Sequence, residues 1–347
     1  MNLRQTLLTT ATFAACSSAA WAGNMCDYSA PTLLNDGAQA DVGTIENGVD
    51  GITIAYLPMG TEFNYHVALG EGIKSVTDAT DGVDSFLLSP YSGGDLAGQM
   101  GMLQDVTARA DVDAILLISF DESALAPLVQ EAVDAGKAVV IINSDIPDFP
   151  TPVHGVVGVN QRAVNHSLAD WAVEQSGGAT REVGVLDGEP SYIANERAGG
   201  FLDGLEGTDW KLVARINGGW SVEKGNTAAM DLIQANPSVD VIYASNDYMA
   251  LGAVLATQAL GRDDISIFGY DGDTGALEDI AAGGMTATSD TSPVIMGRKA
   301  ACFVLDLING KTKGGYVNTP TRIVHQGNAV QVLQSPEDLF PKPSKDY

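Results

Sequence analysis

The chain has 347 residues, 45% hydrophobic and 18% charged, with 18 Lys and Arg against 44 Asp and Glu and a formal net charge of −26. The apolar fraction is ordinary for folded chains and excludes disorder throughout, and without an uninterrupted apolar run of about 18 residues there is no membrane-spanning helix. The acidic excess repels phosphate backbones and anionic lipid surfaces, so no nucleic-acid partner is expected.

The first 22 residues hold a single charged side chain, Arg4, then an apolar run from Leu7 to Ala15, then Ala20-Trp21-Ala22. That is the layout of a secretory signal peptide cleaved after Ala22, with a lipid-modified Cys16 as the alternative. Export to the periplasm permits disulfides. Only Cys26 and Cys302 survive cleavage, and they are expected either to pair or to remain two free thiols. Residues 23–50 are acidic and Gly-rich and read as a tail on the surface. From Gly51 onward β-branched runs alternate with amphipathic stretches, the pattern of βαβ units and parallel sheets. A first series of strands is predicted at Ile52–Leu57, Ser85–Leu88, Ala114–Ser119 and Ala138–Asn143. A second follows at Val156–Val159, Glu182–Leu186, Lys211–Ile216, Val241–Ser245 and Ile265–Tyr270, with a short strand at Met285–Thr288. Helical spacing marks Leu96–Ala108, Ala124–Ala135, Ala163–Gln175 and Tyr248–Leu260, with Gly136 and Gly261 placed to end two of them. The fold class is therefore α/β, two Rossmann-like lobes with parallel sheets. Residues 335–347, with three prolines, read as an exposed end.

In open parallel sheets, ligands bind beyond the carboxyl ends of the strands. Phe63, Asn64, Tyr65 and His66 follow the first strand, and Asn143, Ser144 and Asp145 follow the fourth. In the second series come Tyr192 with Asn195, then Trp220, Asn246, Asp271, and finally Asp290 with Thr291. Carboxylates and amides engage adjacent hydroxyls in a plane, and aromatic rings cover the apolar C–H faces of a sugar. A small neutral sugar or polyol fits that mixture. Asp247, just before Tyr248, reads as a helix N-cap instead. No P-loop, strand-linked G-x-G-x-x-G, H-E-x-x-H, C-x-x-C pair or G-x-S-x-G elbow occurs. No catalytic residue, metal or cofactor is expected, and Gly199, Gly200 and Gly204 read as helix-packing positions.

The stretches VIYASNDYMALG (Val241–Gly252), IFGYDG (Ile267–Gly272) and NERAGGF (Asn195–Phe201) resemble the ribose/galactose-type periplasmic solute-binding proteins, whose ligand core is shared with the lactose-repressor class. The resemblance spans roughly residues 51–330. It implies two lobes joined by a three-segment hinge, with 51–159 plus 292–320 in lobe 1 and 160–291 plus 321–334 in lobe 2. It further implies a monomer that closes on a small sugar and delivers it to the permease of an ABC importer. A sensor adaptor, presenting its closed form to a sensor kinase or chemoreceptor, is the alternative. Carried over by position, Asn246 and Asp271 would contact hydroxyls, Trp220 would be the lobe 2 aromatic, and Tyr65 and His66 the lobe 1 aromatic pair. Phe63 and Asn64 are shifted from the usual lead-in, and Thr291, beside Asp290, replaces a common Gln. Two departures stand out: Asn143-Ser144, followed by Asp145, replaces an Asp-Arg pair, and Asn195 replaces an Arg. With both arginines gone, Asp145 and Asp271 are expected to lack a cationic neighbour and to disfavour an anionic ligand.

Overall fold

A computed structural model describes residues 26–35, 37–41, 51–146 and 148–335. The expected signal peptide at 1–22, Cys16 and residues 336–347 of the expected C-terminal tail lie outside these described residues.

The first half runs β1 (Ile52–Leu57), α1 (Asn64–Thr77), β2 (Val83–Leu87), α2 (Leu96–Ala108), β3 (Ala114–Leu117), α3 (Glu122–Asp134), β4 (Ala138–Ile142) and β5 (Gly155–Gly158). The second runs α4 (Gln161–Gln175), β6 (Arg181–Asp187), α5 (Tyr192–Asp203), β7 (Trp210–Asn217), α6 (Val222–Ala235), β8 (Val241–Ala244), α7 (Asp247–Leu260), β9 (Ser266–Asp271), α8 (Thr274–Ala282) and β10 (Ala287–Asp290). The chain then returns through α9 (Pro293–Ile308), β11 (Gly315–Asn318), β12 (Arg322–His325) and the short α10 (Ala329–Val332).

Two six-stranded sheets result, ordered β11-β5-β4-β3-β1-β2 and β12-β10-β9-β8-β6-β7. All pairings are parallel except β12 against β10. The central strands β3 (AILL) and β4 (AVVII) are buried along their whole length, as unbroken apolar runs must be when helices cover both faces of a parallel sheet. In the first sheet one face packs against α1 and α9, the other against α2 and α3. Val156–Val159, read as opening the second series, belongs instead to the first sheet, where β5 lies between β4 and β11. Its Gly-Val-Val-Gly run carries no signal of sheet membership, which is settled by which neighbour it pairs with. Helix pairs approach closely where a glycine faces a backbone: a side chain on Gly72 would strike the carbonyl of Val294, and one on Gly200 the carbonyl of Arg162. The latter bears out a packing role for that glycine.

The chain crosses between the sheets three times, after β5, after β10 and after β11. In each sheet the strand order reverses beside the first strand: β2 and β3 flank β1, and β7 and β8 flank β6. These are the switch points where an α/β sheet opens a crevice at its carboxyl edge.

The N-terminal segment is more than a surface tail. Cys26 is bonded to Cys302 on α9, and Tyr28 donates its hydroxyl to Asp306 at 2.6 Å. Thr32 pairs with Tyr316 on the edge strand β11, Gln39 bridges to Val153, and Leu34, Ala38 and Ala40 are buried. Of the two alternatives for the cysteines, the structure shows the pair.

Candidate functional site

Asp271 ends β9 with a φ of 123°, and Trp220, Asn143 and Ser292 also have positive φ. Non-glycine residues in that region cost about 1–3 kcal/mol each and persist where the surroundings hold them. Three of these four are residues that the strand-end argument selected.

Around Asp271 the lobe 2 half of the site assembles. Arg197 on α5 is only 4% exposed, and its Nη1 lies 3.1 Å from Asp271 Oδ1. It also donates to the Ser245 carbonyl at 2.9 Å and, through Nε, to Gln161 Oε1 at 3.0 Å. Its guanidinium lies over the Tyr270 ring at 3.9 Å and 5.8 Å from that of Trp220. Burial pushes the Asp271 carboxyl up to about 7, with Arg197 pulling in the opposite direction. The expectation that Asp271 lacks an arginine is therefore overturned: the Arg lies two residues beyond Asn195. Asn195 itself is exposed and makes none of these contacts. The Trp220 indole lies close against Gly188, where any side chain would collide with it. Asn246 donates to the Trp220 carbonyl at 3.3 Å, while its Oδ1 caps α7 by accepting from Met249 N at 2.9 Å. The cap is thus Asn246 and not Asp247, which is fully buried.

Lobe 1 supplies the opposing wall. His66 is buried, and Nδ1 must donate to the Gly60 carbonyl at 2.8 Å, since that oxygen only accepts. Burial pushes its pKa down to about 4, so the ring is neutral near pH 7 and Nε2 is an acceptor. Phe63 meets His66 edge-on at 5.3 Å. Tyr65 is buried with its hydroxyl 3.0 Å from Thr291 Oγ1, and Thr291 N donates to the Asp271 carbonyl at 3.1 Å. Asn64 reaches across to lobe 2, its backbone N–H donating to Tyr248 Oη at 3.3 Å.

A second cluster follows β4. Asn143 is buried and its Oδ1 has no hydrogen-bond partner. Ser144 is buried beside it. Asp145 accepts from Gln161 N at 3.0 Å and from the Tyr192 hydroxyl of lobe 2 at 3.2 Å; burial pushes its carboxyl up. Gln161 joins the two clusters, because its Oε1 also accepts from Arg197 and, at 2.8 Å, from Tyr270. Its Nε2 is buried without a partner. An orphan acceptor and an orphan donor are what a hydroxylic guest would satisfy, since each costs about 1–3 kcal/mol unpaired.

Asp290 stands apart. One oxygen accepts from Arg322 Nε at 2.6 Å and the other from Ser292 N at 2.7 Å, so it is spent on holding the crossing after β10. Arg197 and Gln161 were missed in the sequence, although both lie on buried helix faces. Among the described residues no group of His, Cys, Asp and Glu is arranged to hold a metal.

A family model for the periplasmic binding protein domain matches residues 44–312. The D-ribose/D-allose-binding protein of Pseudomonas aeruginosa is 30% identical over 245 residues, covering 66% of this chain and 75% of that one. A solute-binding protein from Mycobacterium smegmatis, solved with bound glycerol, superposes with a TM-score of 0.76 at 25% identity, covering 84% of this chain and 100% of that one. A Bacillus halodurans solute-binding protein with myo-inositol shares the fold, with a TM-score of 0.75 at 20% identity over 83% of this chain and 99% of that one. The chain therefore belongs to the periplasmic binding protein family, as a two-lobed solute-binding protein of ABC import and not an enzyme.

Proposed function

We propose that the protein captures a small neutral sugar or polyol between its lobes and delivers it to an ABC permease, as a monomer exported by a signal peptide cleaved after Ala22. The observation that carries this reading is the lining of the crevice. Arg197 is buried against Asp271, lies 5.8 Å from the Trp220 ring, and acts electrostatically on Tyr65 and on the neutral His66, while Asn143 after β4 adds a buried amide oxygen without a partner. Hydroxyls that both donate and accept answer such groups. An anion would meet the Asp145 carboxyl with Arg197 already paired to Asp271, and this disfavours anions. The relatives' names, ribose, allose and glycerol among them, support the ligand class, and they name import binding proteins, which lends nothing to the sensor alternative. The lobe limits 51–159 with 292–320 and 160–291 with 321–334 are consistent with the three crossings.

A ligand that touches both lobes binds the closed form better and shifts the population toward it. Micromolar affinity needs about −8 kcal/mol, which six to eight hydrogen bonds at about 1 kcal/mol net each can supply. The test is a thermal-shift screen with D-ribose, D-allose, myo-inositol and glycerol, followed by calorimetry. At least one compound should raise Tm, and Asp271→Ala should weaken its binding at least tenfold. A flat screen, or unchanged affinity in Asp271→Ala, contradicts the reading.

A further inference from the structure

Asp247 is the first residue of α7 and is 0% exposed. Its carboxylate serves none of its own helix's free N–H groups, because Asn246 provides the cap. Instead Oδ2 accepts from Gly272 N and Asp273 N, both at 2.8 Å, and Oδ1 accepts from the Thr288 hydroxyl at 2.6 Å. Those two N–H groups belong to the turn immediately after Asp271, where φ is 123° at Asp271 and 88° at Gly272. Asp271 is one of the positive-φ residues of the site, and the two backbone N–H groups and the Thr288 hydroxyl converge on a single buried carboxyl group beside it, which holds the turn by geometry. The glycines of IFGYDG fit this arrangement. A side chain on Gly269 would lie 2.2 Å from Asp247 Oδ1, and one on Gly272 would lie 2.5 Å from Asp290 Oδ1. Gly269 thus leaves room for Asp247, while Gly272 leaves room for Asp290 on the other side of Asp271.

We propose that Asp247 is a positioning residue for ligand binding: by gripping the N–H groups of Gly272 and Asp273 it fixes Asp271 against Arg197 in the orientation that receives ligand hydroxyls. The proposal rests on the reading of Asp271 as a ligand contact. Asp247→Asn supplies a conservative control. Its amide oxygen can still accept from both backbone N–H groups, and its NH2 can donate to Thr288, whose hydroxyl can accept. Asp247→Ala removes the grip.

Binding of D-allose and D-ribose is measured by calorimetry for the wild type, Asp247→Ala, Asp247→Asn, Asp271→Ala and the Asp247→Ala/Asp271→Ala double variant. Asp247→Ala should weaken binding at least tenfold, and Asp247→Asn should stay within about threefold of wild type. In the Asp271→Ala background, adding Asp247→Ala should change affinity less than twofold, because Asp247 acts through Asp271. A merely structural carboxylate would instead lower Tm in both backgrounds and leave affinity unchanged in the folded single variant, and that result overturns the proposal. Should Asp247→Ala not fold, Thr288→Val and Asp247→Asn are compared; wild-type affinity in Thr288→Val with tenfold weaker binding in Asp247→Asn would equally overturn it. A ligand-free arm stands beside these. The Arg197 side-chain N–H resonances in NMR spectra should shift in Asp247→Ala in the same sense as in Asp271→Ala and keep their wild-type positions in Asp247→Asn. Wild-type Arg197 resonances in Asp247→Ala, with shifted ones in Asp271→Ala, contradict the proposal even if neither sugar binds. Unchanged affinity in Asp271→Ala counts instead against the ligand site itself.

Discussion

His66 illustrates how burial sets the chemistry of a single side chain. Unfolded, it titrates near 6.5; in the folded protein burial brings it down to about 4. Between those values the unfolded chain holds a proton that the folded one rejects. Its contribution to stability is therefore complete above about pH 6.5 and is lost as pH falls toward 4, about 3 kcal/mol in all. Urea unfolding at pH 7.5 and pH 4.5 checks this: the wild type should lose about that much more stability than His66→Gln over the interval. Parallel losses in the two proteins would show that His66 carries no such linkage. At this scale the sequence was only partly legible. Asp271, Trp220 and the Tyr65–His66 pair stand after strands and could be read there. Arg197 is masked in the sequence by Asn195, two residues earlier, which stands where the resemblance places an arginine. On a helix those positions face nearly opposite ways, and Ala194, Arg197, Ala198 and Phe201 form one stripe at three- and four-residue spacing, all buried. An arginine inside an apolar stripe signals a buried partner, and that signal was available. The contrast between Asn246 and Asp247 was not, since either side chain can cap a helix and only the turn after β9 decides between them.

Among the elements, the long apolar runs were legible: β1 spans the predicted residues Ile52–Leu57, and α2 spans Leu96–Ala108. The four-residue strands β11 (GYVN) and β12 (RIVH) were not predicted. They lie on either side of Pro320 and are too short for a period to show; each is a strand only because a neighbouring sheet edge receives it. The N-terminal segment was likewise underestimated, since its buried residues Leu34, Ala38 and Ala40 are scattered among polar ones. It lies along lobe 1 and is tied down at Cys302, Asp306 and Tyr316. Replacing Cys26 and Cys302 by Ser should lower stability by about 2–4 kcal/mol and leave sugar affinity within twofold, by denaturant unfolding and calorimetry on one preparation. A large affinity loss with unchanged stability would mean that the segment serves the site and not the scaffold.

For the whole molecule, two sheets built to one plan turn the carboxyl ends of their strands toward each other, and the chain passes between them three times. Direct contacts already span the lobes, from Asn64 to Tyr248 and from Tyr192 to Asp145. The alternation of strands and helices made the two-lobed class readable, whereas the assignment of β5 required its pairing partners. Acidity at the scale of −26 keeps the molecule soluble and repels anions, in keeping with a neutral guest. The most direct measurement is a crystal structure grown with the compound that gives the largest thermal shift. Density for that compound should lie between His66 and Tyr65 on one side and Trp220 on the other, with hydroxyls on Asp271, Arg197 and Asn143. Density found elsewhere, with the crevice between the lobes empty, would contradict the account.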